Sequence, residues 1–165
     1  ASLGIPWFAT SLCALDSEGL LAALVCNQAT GITYTAVRGS GAERDGESIF
    51  PAKENDIAKS ILVFNGLAPE YFGWKQYRTL GSAALDLCGV ADGSFSGYVD
   101  FSNGLALWDY AGAALICSEA GVNMCDMNGE ILNFNSLRHD PSSRIQLVAA
   151  GTKNLQQALL NAVEV

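Results

Sequence analysis

The sequence is poor in the residues on which the commonest catalytic centres depend. It contains one histidine, His139, among 165 residues, so zinc sites and catalytic triads that need several histidines are excluded. It also has no P-loop, no G-x-S-x-G motif and no full G-x-G-x-x-G motif. His139 lies in a loop beside Asp140 and Pro141, and we expect it to be solvated rather than catalytic.

Positive charge is scarce as well. Nine Lys and Arg residues against seventeen Asp and Glu residues give a net charge of -8. This balance argues against nucleic acid as the main partner, because contacts to phosphates need Lys and Arg. If the ligand is nevertheless an anion, something other than basic side chains must supply the positive charge.

Disulfides, membrane spans and a signal peptide are not indicated either. The cysteines are odd in number and form no C-x-x-C motif, which predicts free, mostly buried thiols in a reducing cytoplasm. They are Cys13, Cys26, Cys88, Cys117 and Cys125. No apolar run is long enough for a membrane span, and the first residues do not resemble a signal peptide. We therefore expect a cytoplasmic protein with no membrane partner, and a start at Ala1 that lies inside a longer chain.

Half of the residues are hydrophobic, and their pattern predicts one domain of mixed α/β (α+β) class. Residues 7–37 are predicted to form a three-stranded antiparallel meander, and the glycine-rich residues 38–47 a loop. Residues 60–165 are predicted to hold a second sheet with helices. The strands are predicted at 7–15, 20–26, 32–37, 48–50, 60–64, 97–101, 123–125 and 145–150, with an irregular segment at 65–76.

Three helices are predicted in the second half of the chain. Ser82–Ala91 places small and apolar residues on one face, with Ser82 as the N-cap. Trp108–Ala120 is almost entirely apolar and small, which predicts burial on all sides and an end at Gly121. The last helix is amphipathic and begins after Thr152, which we expect to cap it.

Carboxylates are the remaining source of chemistry. Most are predicted to be surface charges, including the acidic residues between Glu43 and Asp56. Asp100 and Asp109 differ, since Asp100 ends a predicted strand and Asp109 begins the buried helix. Two interpretations of Asp109 are open: an N-cap that stabilises the helix, or a hard oxygen ligand for Mg2+ that a rigid helix would hold in place.

Several ordered motifs resemble those of one protein family. Trp108-Asp109-x-Ala111, followed by a helix of small residues and Glu119-Ala120-Gly121, closely resembles the C-terminal signature of the inositol monophosphatase family. Four further segments resemble motifs of that family in the same order, and the match spans nearly the whole chain. They are Gly4-Ile5-Pro6 with Phe8-Ala9-Thr10-Ser11, Gly39-Ser40-Gly41-Ala42 with Asp45-Gly46, Arg78-Thr79-Leu80-Gly81-Ser82-Ala83-Ala84, and Asp126 with Gly129.

The resemblance implies a fold, a reaction and site residues. The fold would be a layered αβαβα sandwich, incomplete at the N-terminus, with residues 1–165 as the C-terminal two-thirds of the domain. The reaction would be Mg2+-dependent hydrolysis of a small phosphate monoester by metal-activated water. Asp109 would be a metal ligand and catalytic residue. Gly81, Ser82 and Ala83 would approach the substrate's hydroxyls, and Asp100 would accept hydrogen bonds from them. The family's habit of pairing implies a homodimer.

Alternatives to this hypothesis stay open. The family's other metal ligands, a glutamate and the aspartates of a D-P-x-D-G-T motif, would lie upstream of Ala1. The chain could therefore represent a truncated or non-catalytic homologue that acts as a binding or interaction module. Inositol monophosphate is the preferred substrate, with fructose bisphosphate, a 3'-phosphonucleotide or histidinol phosphate as alternatives. Asp45 and Val122 replace the Asn and Gly that are usual in the family.

Overall fold

A computed structural model describes residues 4–134 and 139–163, which form two five-stranded sheets and three α-helices. The first sheet contains β1 (Ala9–Asp16), β2 (Gly19–Asn27), β3 (Thr33–Val37), β4 (Ala42–Arg44) and β5 (Glu47–Ser48). The second contains β6 (Ile61–Asn65), β7 (Gln76–Arg78), β8 (Gly97–Asp100), β9 (Asn123–Asp126) and β10 (Leu147–Ala150). The helices are α1 (Ala83–Ala91), α2 (Leu107–Ala120) and α3 (Lys153–Val163), and a short 3-10 helix covers Ile57–Lys59.

The first sheet is antiparallel throughout and runs in chain order, so the predicted meander over residues 7–37 is confirmed. The predicted loop at 38–47 is wrong in part, because it contains β4 and the start of β5. Asp45 and Gly46 both have positive φ angles, 52° and 84°, and these make the tight turn that joins the two strands. The predicted strand at 48–50 overlaps the observed strand only at Ser48, since β5 ends there.

The second sheet is mixed, with strand order β7-β6-β8-β10-β9. β6 runs parallel to both β7 and β8, whereas β10 is antiparallel to β8 and β9. Strand β7 lies where the sequence predicted no element. Its three residues are polar or aromatic, all are exposed, and they show no alternating pattern. Strand β7 is held at the edge of the sheet by its pairing with β6.

Helices α1 and α2 lie between the two sheets, and α3 lies on the other face of the second sheet. α2 packs on β1, β2 and β3 and against α1, which in turn contacts β8 and β10, while α3 contacts β8, β9 and β10. A Cβ atom at Gly112 would lie 2.7 Å from Ser11 Oγ, so only glycine allows α2 to approach β1 this closely. The described residues thus form four alternating layers of sheet and helix, and the predicted layered α/β architecture is confirmed.

Two hydrophobic cores lie on either side of the second sheet. Val63 and Tyr98 face α1 and α2 in the larger core, whereas Leu62 and Phe64 belong to the smaller core with Leu159 of α3. Because both of its faces are buried, the central part of this sheet is rigid, and its strand ends are suited to fix functional side chains.

The thiols and the helices can be located in the structure. All five cysteines are free thiols, of which Cys88, Cys117 and Cys125 are buried. Within residues 4–134 and 139–163, no helix combines the length and the apolar character needed to cross a membrane. His139 is exposed.

Candidate active site

The N-terminus of α1 is open to ligands. Ser82 occupies the predicted N-cap position with an extended backbone, and its hydroxyl makes no capping hydrogen bond. The first intrahelical bond is donated by Asp86 N–H to Ser82 O at 2.8 Å. The amides that precede Asp86 in the helix therefore have no intrahelical partner. Gly81 has a φ of 92°, a conformation that L-residues with a side chain rarely adopt.

The N-terminus of α2 is closed by its own acid. Ala106 is the N-cap residue, and Asp109 Oδ2 accepts a hydrogen bond from Ala106 N–H at 3.0 Å. Asp109 therefore stabilises the helix from within its first turn rather than as the N-cap itself. Among the described residues its second oxygen, Oδ1, accepts no hydrogen bond, so one carboxylate oxygen is available to a ligand.

A cleft of about 330 Å³ lies between these two helix starts. Gly81, Ser82 and Ala83 line one side, and Asp109 lines the other beside the largely exposed Trp108. Ser11 of β1 and Asn65 at the end of β6 also line it. The structure thus places four of the five predicted site residues around one cleft, although they come from two segments that are far apart in sequence.

Asp100, the fifth predicted residue, does not line the cleft. Its side chain is fully buried, and its Oδ1 accepts hydrogen bonds from Ser102 N–H at 2.8 Å and from Asn65 Nδ2 at 3.1 Å. Its Oδ2 has no hydrogen-bond partner among the described residues. Asp100 is therefore connected to the cleft through Asn65, and its direct contact with a substrate hydroxyl stays a prediction.

Asn65 is a cleft residue that sequence reasoning missed. It is the last residue of β6, a strand with a buried centre, precedes Gly66, and pairs in register with Asp100 on the parallel strand β8. A polar residue at the carboxyl end of a buried strand is a recognisable signal for a site. The predicted strand ends at Phe64, which leaves Asn65 in the predicted irregular segment.

The cleft lies between two helix N-termini, whose backbone carries partial positive charge. The first amides of α1 have no intrahelical partner, whereas Asp109 closes part of the α2 start. Among residues 4–134 and 139–163, no Lys or Arg lines the cleft.

The cleft fits Mg2+ only in part. Asp109 offers a hard carboxylate oxygen, which is the ligand type that Mg2+ prefers. However, no group of three or more His, Cys, Asp or Glu side chains in the described part of the chain is placed to hold a metal ion. The described residues can therefore contribute one ligand to a metal site but do not form such a site by themselves.

A second acid lies behind the first turn of α1. Asp86 is 1% exposed, and its Oδ1 accepts a hydrogen bond from Trp7 Nε1–H at 2.7 Å. Burial raises the pKa of Asp86 to about 7, while the hydrogen bonds from Trp7 and Ser82 act in the opposite direction. Asp86 thus ties the segment before β1 to the helix whose start faces the cleft.

The glycine loop and the Glu119-Ala120-Gly121 motif meet far from Asp109, at the other end of α2. Gly39 N–H and Gly41 N–H donate to the two carboxylate oxygens of Glu119, each at 2.9 Å. These motif residues therefore hold the first sheet to α2 and bind no ligand through these groups. A larger cavity of about 580 Å³ at the same end contains none of the predicted site residues, and its Arg38 is already paired with Asp16 and Glu18.

The sequence is similar to those of several known proteins. A model of the inositol monophosphatase family matches residues 3–165. A fructose-1,6-bisphosphatase/inositol-1-monophosphatase from Archaeoglobus fulgidus is 34% identical over 99% of this chain and 65% of its own length. A protein named Nus factor SuhB from Pasteurella multocida is 33% identical over 76% of this chain and 52% of its own length.

The fold agrees as well. A solved structure from Pyrococcus horikoshii, described as a hypothetical protein with similarities to inositol-1 monophosphatase, superimposes with a TM-score of 0.86 at 25% identity. The superposition covers 99% of this chain and 65% of that one. The chain thus spans between about half and two-thirds of the length of these relatives.

Proposed function

The chain belongs to the inositol monophosphatase family, and we propose that the protein containing it hydrolyses a small phosphate monoester in a Mg2+-dependent reaction. The observation that supports this most strongly is the convergence of Gly81, Ser82, Ala83 and Asp109 on one cleft between two helix N-termini. Such a cleft attracts anions without basic side chains.

The start of α1 would position the organic part of the substrate. Gly81 and Ala83 have no bulky side chain, so a ring can approach their backbone closely. The Ser82 hydroxyl is not used by the helix and can bond to a substrate hydroxyl. We propose that these three residues bind hydroxyl groups of the substrate, with Asp100 contributing from behind the cleft surface.

Asp109 would be the metal ligand and catalytic residue of this part of the protein. Its Oδ2 is fixed by Ala106 N–H, which orients Oδ1 without using it. A bound Mg2+ would activate water and neutralise phosphate charge. The carboxylate of Asp109 would also orient a water molecule or the leaving-group oxygen. The remaining ligands of the Mg2+ would come from residues outside the described part of the chain.

Inositol monophosphate is the substrate that we prefer. A relative at 34% identity carries the names of both a fructose-1,6-bisphosphatase and an inositol-1-monophosphatase, so fructose bisphosphate is the strongest alternative. A 3'-phosphonucleotide and histidinol phosphate are the further candidates. A phosphate-release panel over these four substrates, with and without Mg2+, would distinguish them.

The same assay tests Asp109. In the natural protein, Asp109→Asn should lower phosphate release by at least about 100-fold, because a neutral amide is a poor Mg2+ ligand. Asp45→Asn is the matched control: it is the same chemical change at an exposed turn, where the Asn oxygen can still accept the bond from Thr33 N–H. Full activity of the Asp109 variant would overturn its role.

A binding or interaction module is the second candidate. It is favoured by the absence of a three-ligand metal cluster within the described residues. One relative is, moreover, named as a Nus factor rather than as a phosphatase. If the natural protein releases no phosphate from any of the four substrates with Mg2+, the hydrolase proposal fails and this candidate replaces it.

We also propose that the protein is a cytoplasmic homodimer. Five free thiols are consistent with a reducing compartment. The outer face of the first sheet exposes Leu12 and Val37, which leaves apolar area available for association. Sedimentation equilibrium of the natural protein should give twice the chain mass, and a monomer would contradict this.

A further inference from the structure

We propose that Asn65 is a specificity-determining residue that presents a hydrogen-bond acceptor to the ring hydroxyls of the substrate, with Asp100 as the buried anchor that holds it there. Asn65 ends β6 and lines the cleft together with Ser82 and Ala83. This inference rests on the proposed function, because it concerns how the same cleft selects a polyol phosphate.

The contacts of Asn65 fix which end of its amide is free. Its Nδ2 donates to Asp100 Oδ1 and to Ser102 Oγ, at 3.1 Å in each case. Asp100 Oδ1 also accepts from Ser102 N–H, so it faces Asn65 as an acceptor and meets the NH2 group rather than the carbonyl. Both N–H bonds are then used. The carbonyl Oδ1 accepts no hydrogen bond from any described residue, and it is the group left for a ligand.

The anchor is rigid. Asp100 is fully buried, and the register of the parallel strands places it directly opposite Asn65. Its Oδ1 also accepts from Ser102 N–H at 2.8 Å. Gln146 Nε2 holds the same turn by donating to Ser102 O at 2.8 Å. An amide whose N–H donates to a buried carboxylate becomes polarised, which makes its carbonyl oxygen a better acceptor.

The two sides of the cleft are therefore chemically complementary. The start of α1 offers amide donors, and Asn65 offers an acceptor. A hydroxyl group both donates and accepts, so it can bond to both sides at once. An aryl phosphate without ring hydroxyls makes neither bond. Asn65 should accordingly affect the binding of polyol phosphates and leave the binding of aryl phosphates unchanged.

Steady-state kinetics of the natural protein with Mg2+ test this inference, with inositol 1-phosphate and p-nitrophenyl phosphate as substrates. Asn65→Ala should raise KM for inositol 1-phosphate about 5- to 10-fold, the effect of one lost hydrogen bond, with kcat changed less than about 2-fold. KM for p-nitrophenyl phosphate should not change. Asn103→Ala, at an exposed position of the neighbouring loop, is the control and should affect neither substrate.

Exchanging the Asn65 and Asp100 side chains separates a role of Asn65 in substrate binding from a merely structural one. Asn65→Asp should raise KM for inositol 1-phosphate because it places two carboxylates together. Adding Asp100→Asn moves the donor to the buried position and keeps an acceptor at the cleft. The double variant should therefore recover KM to within about 3-fold of the natural value. Thermal melting checks that each variant is folded.

Three results would overturn the inference: equal KM changes for both substrates, a change in kcat alone, or a folded double variant that recovers nothing. Failure of the proposed function would be recognised separately, because the natural protein would then release phosphate from neither substrate. Calorimetric titration with inositol 1-phosphate would still test Asn65 in that case. Equal affinity of the natural protein and Asn65→Ala would refute its role.

Discussion

The two helices that begin at the cleft direct the acids of their first turns to different surroundings. In α2, Asp109 folds back onto Ala106 N–H and keeps its other oxygen at the cleft. In α1, Asp86 is turned into the interior and accepts from Trp7 Nε1–H. Each acid thus accepts from the N-cap amide of its own helix, Asp86 from Ser82 and Asp109 from Ala106, but only Asp109 lies at the cleft. The N-terminus of α2 thus positions a carboxylate at the cleft, and the N-terminus of α1 presents backbone amides there.

Burial explains why the two acids behave differently. Asp109 is half-buried at a helix N-terminus, where the dipole favours a negative charge. Asp86 is almost fully buried, and that burial raises its pKa to about 7. A carboxyl group can therefore be retained inside α1 because it stays protonated below neutral pH.

The largest expected effect comes from removing the charge of Asp86. Its pKa is higher in the folded protein than in the unfolded chain, so its contribution to stability is full below pH 4 and is lost as the pH rises towards 7. Asp86→Asn cannot ionise, and its amide oxygen can still accept from Trp7. The variant should be more stable than the natural protein at pH 8 by on the order of 3 kcal/mol, with a much smaller difference at pH 4.

Urea denaturation between pH 4 and pH 8, followed by circular dichroism, measures this difference. Asp140→Asn, at an exposed loop position, is a suitable control and should leave the pH dependence unchanged. A free energy of unfolding that depends equally on pH in the natural protein and in Asp86→Asn would show that Asp86 ionises normally in the fold, and the contrast between the two acids would be lost.

Local pattern was sufficient to predict the elements that bear the cleft, but not all of its residues. The start of α2 could be predicted because a run of small apolar residues follows Asp109, and the position of Ser82 follows from the same periodicity. Whether the Ser82 hydroxyl bonds to its helix depends on side-chain orientation, which periodicity does not determine. Asn65 was missed because its function arises from the register between β6 and β8, a non-local property.

Strand prediction failed for a related reason. β7 is ordered by its parallel pairing with β6, and β4 by its pairing with β3, while neither has a local alternating pattern of useful length. The glycines around β4 favoured a loop, although Gly46 serves a tight turn between two strands. Pairing partners that are distant or very short leave little trace in the sequence itself.

A smaller effect is expected when the cap of α2 is removed. Asp109→Ala deletes the acceptor for Ala106 N–H and should lower the free energy of unfolding by about 1 kcal/mol. Asp109→Asn keeps an acceptor oxygen and should lower it by less than about half that amount. Urea denaturation at pH 7 measures both. Equal losses in the two variants would mean that charge, and not the hydrogen bond, stabilises this helix start.

The smallest effect should come from Ser82, and it tests most directly whether α1 is open. N-cap serines that bond to their helix typically stabilise it by about 1 kcal/mol, but the Ser82 hydroxyl makes no such bond. Ser82→Ala should therefore change the free energy of unfolding by less than about 0.3 kcal/mol. Thr152→Ala provides the matched comparison, because Thr152 Oγ1 accepts from Leu155 N–H at 3.1 Å at the start of α3, and its loss should cost about 1 kcal/mol. If both variants lost equal stability, Ser82 would cap α1 in solution, and the amides that we propose as part of the binding surface would be partly occupied by the protein itself.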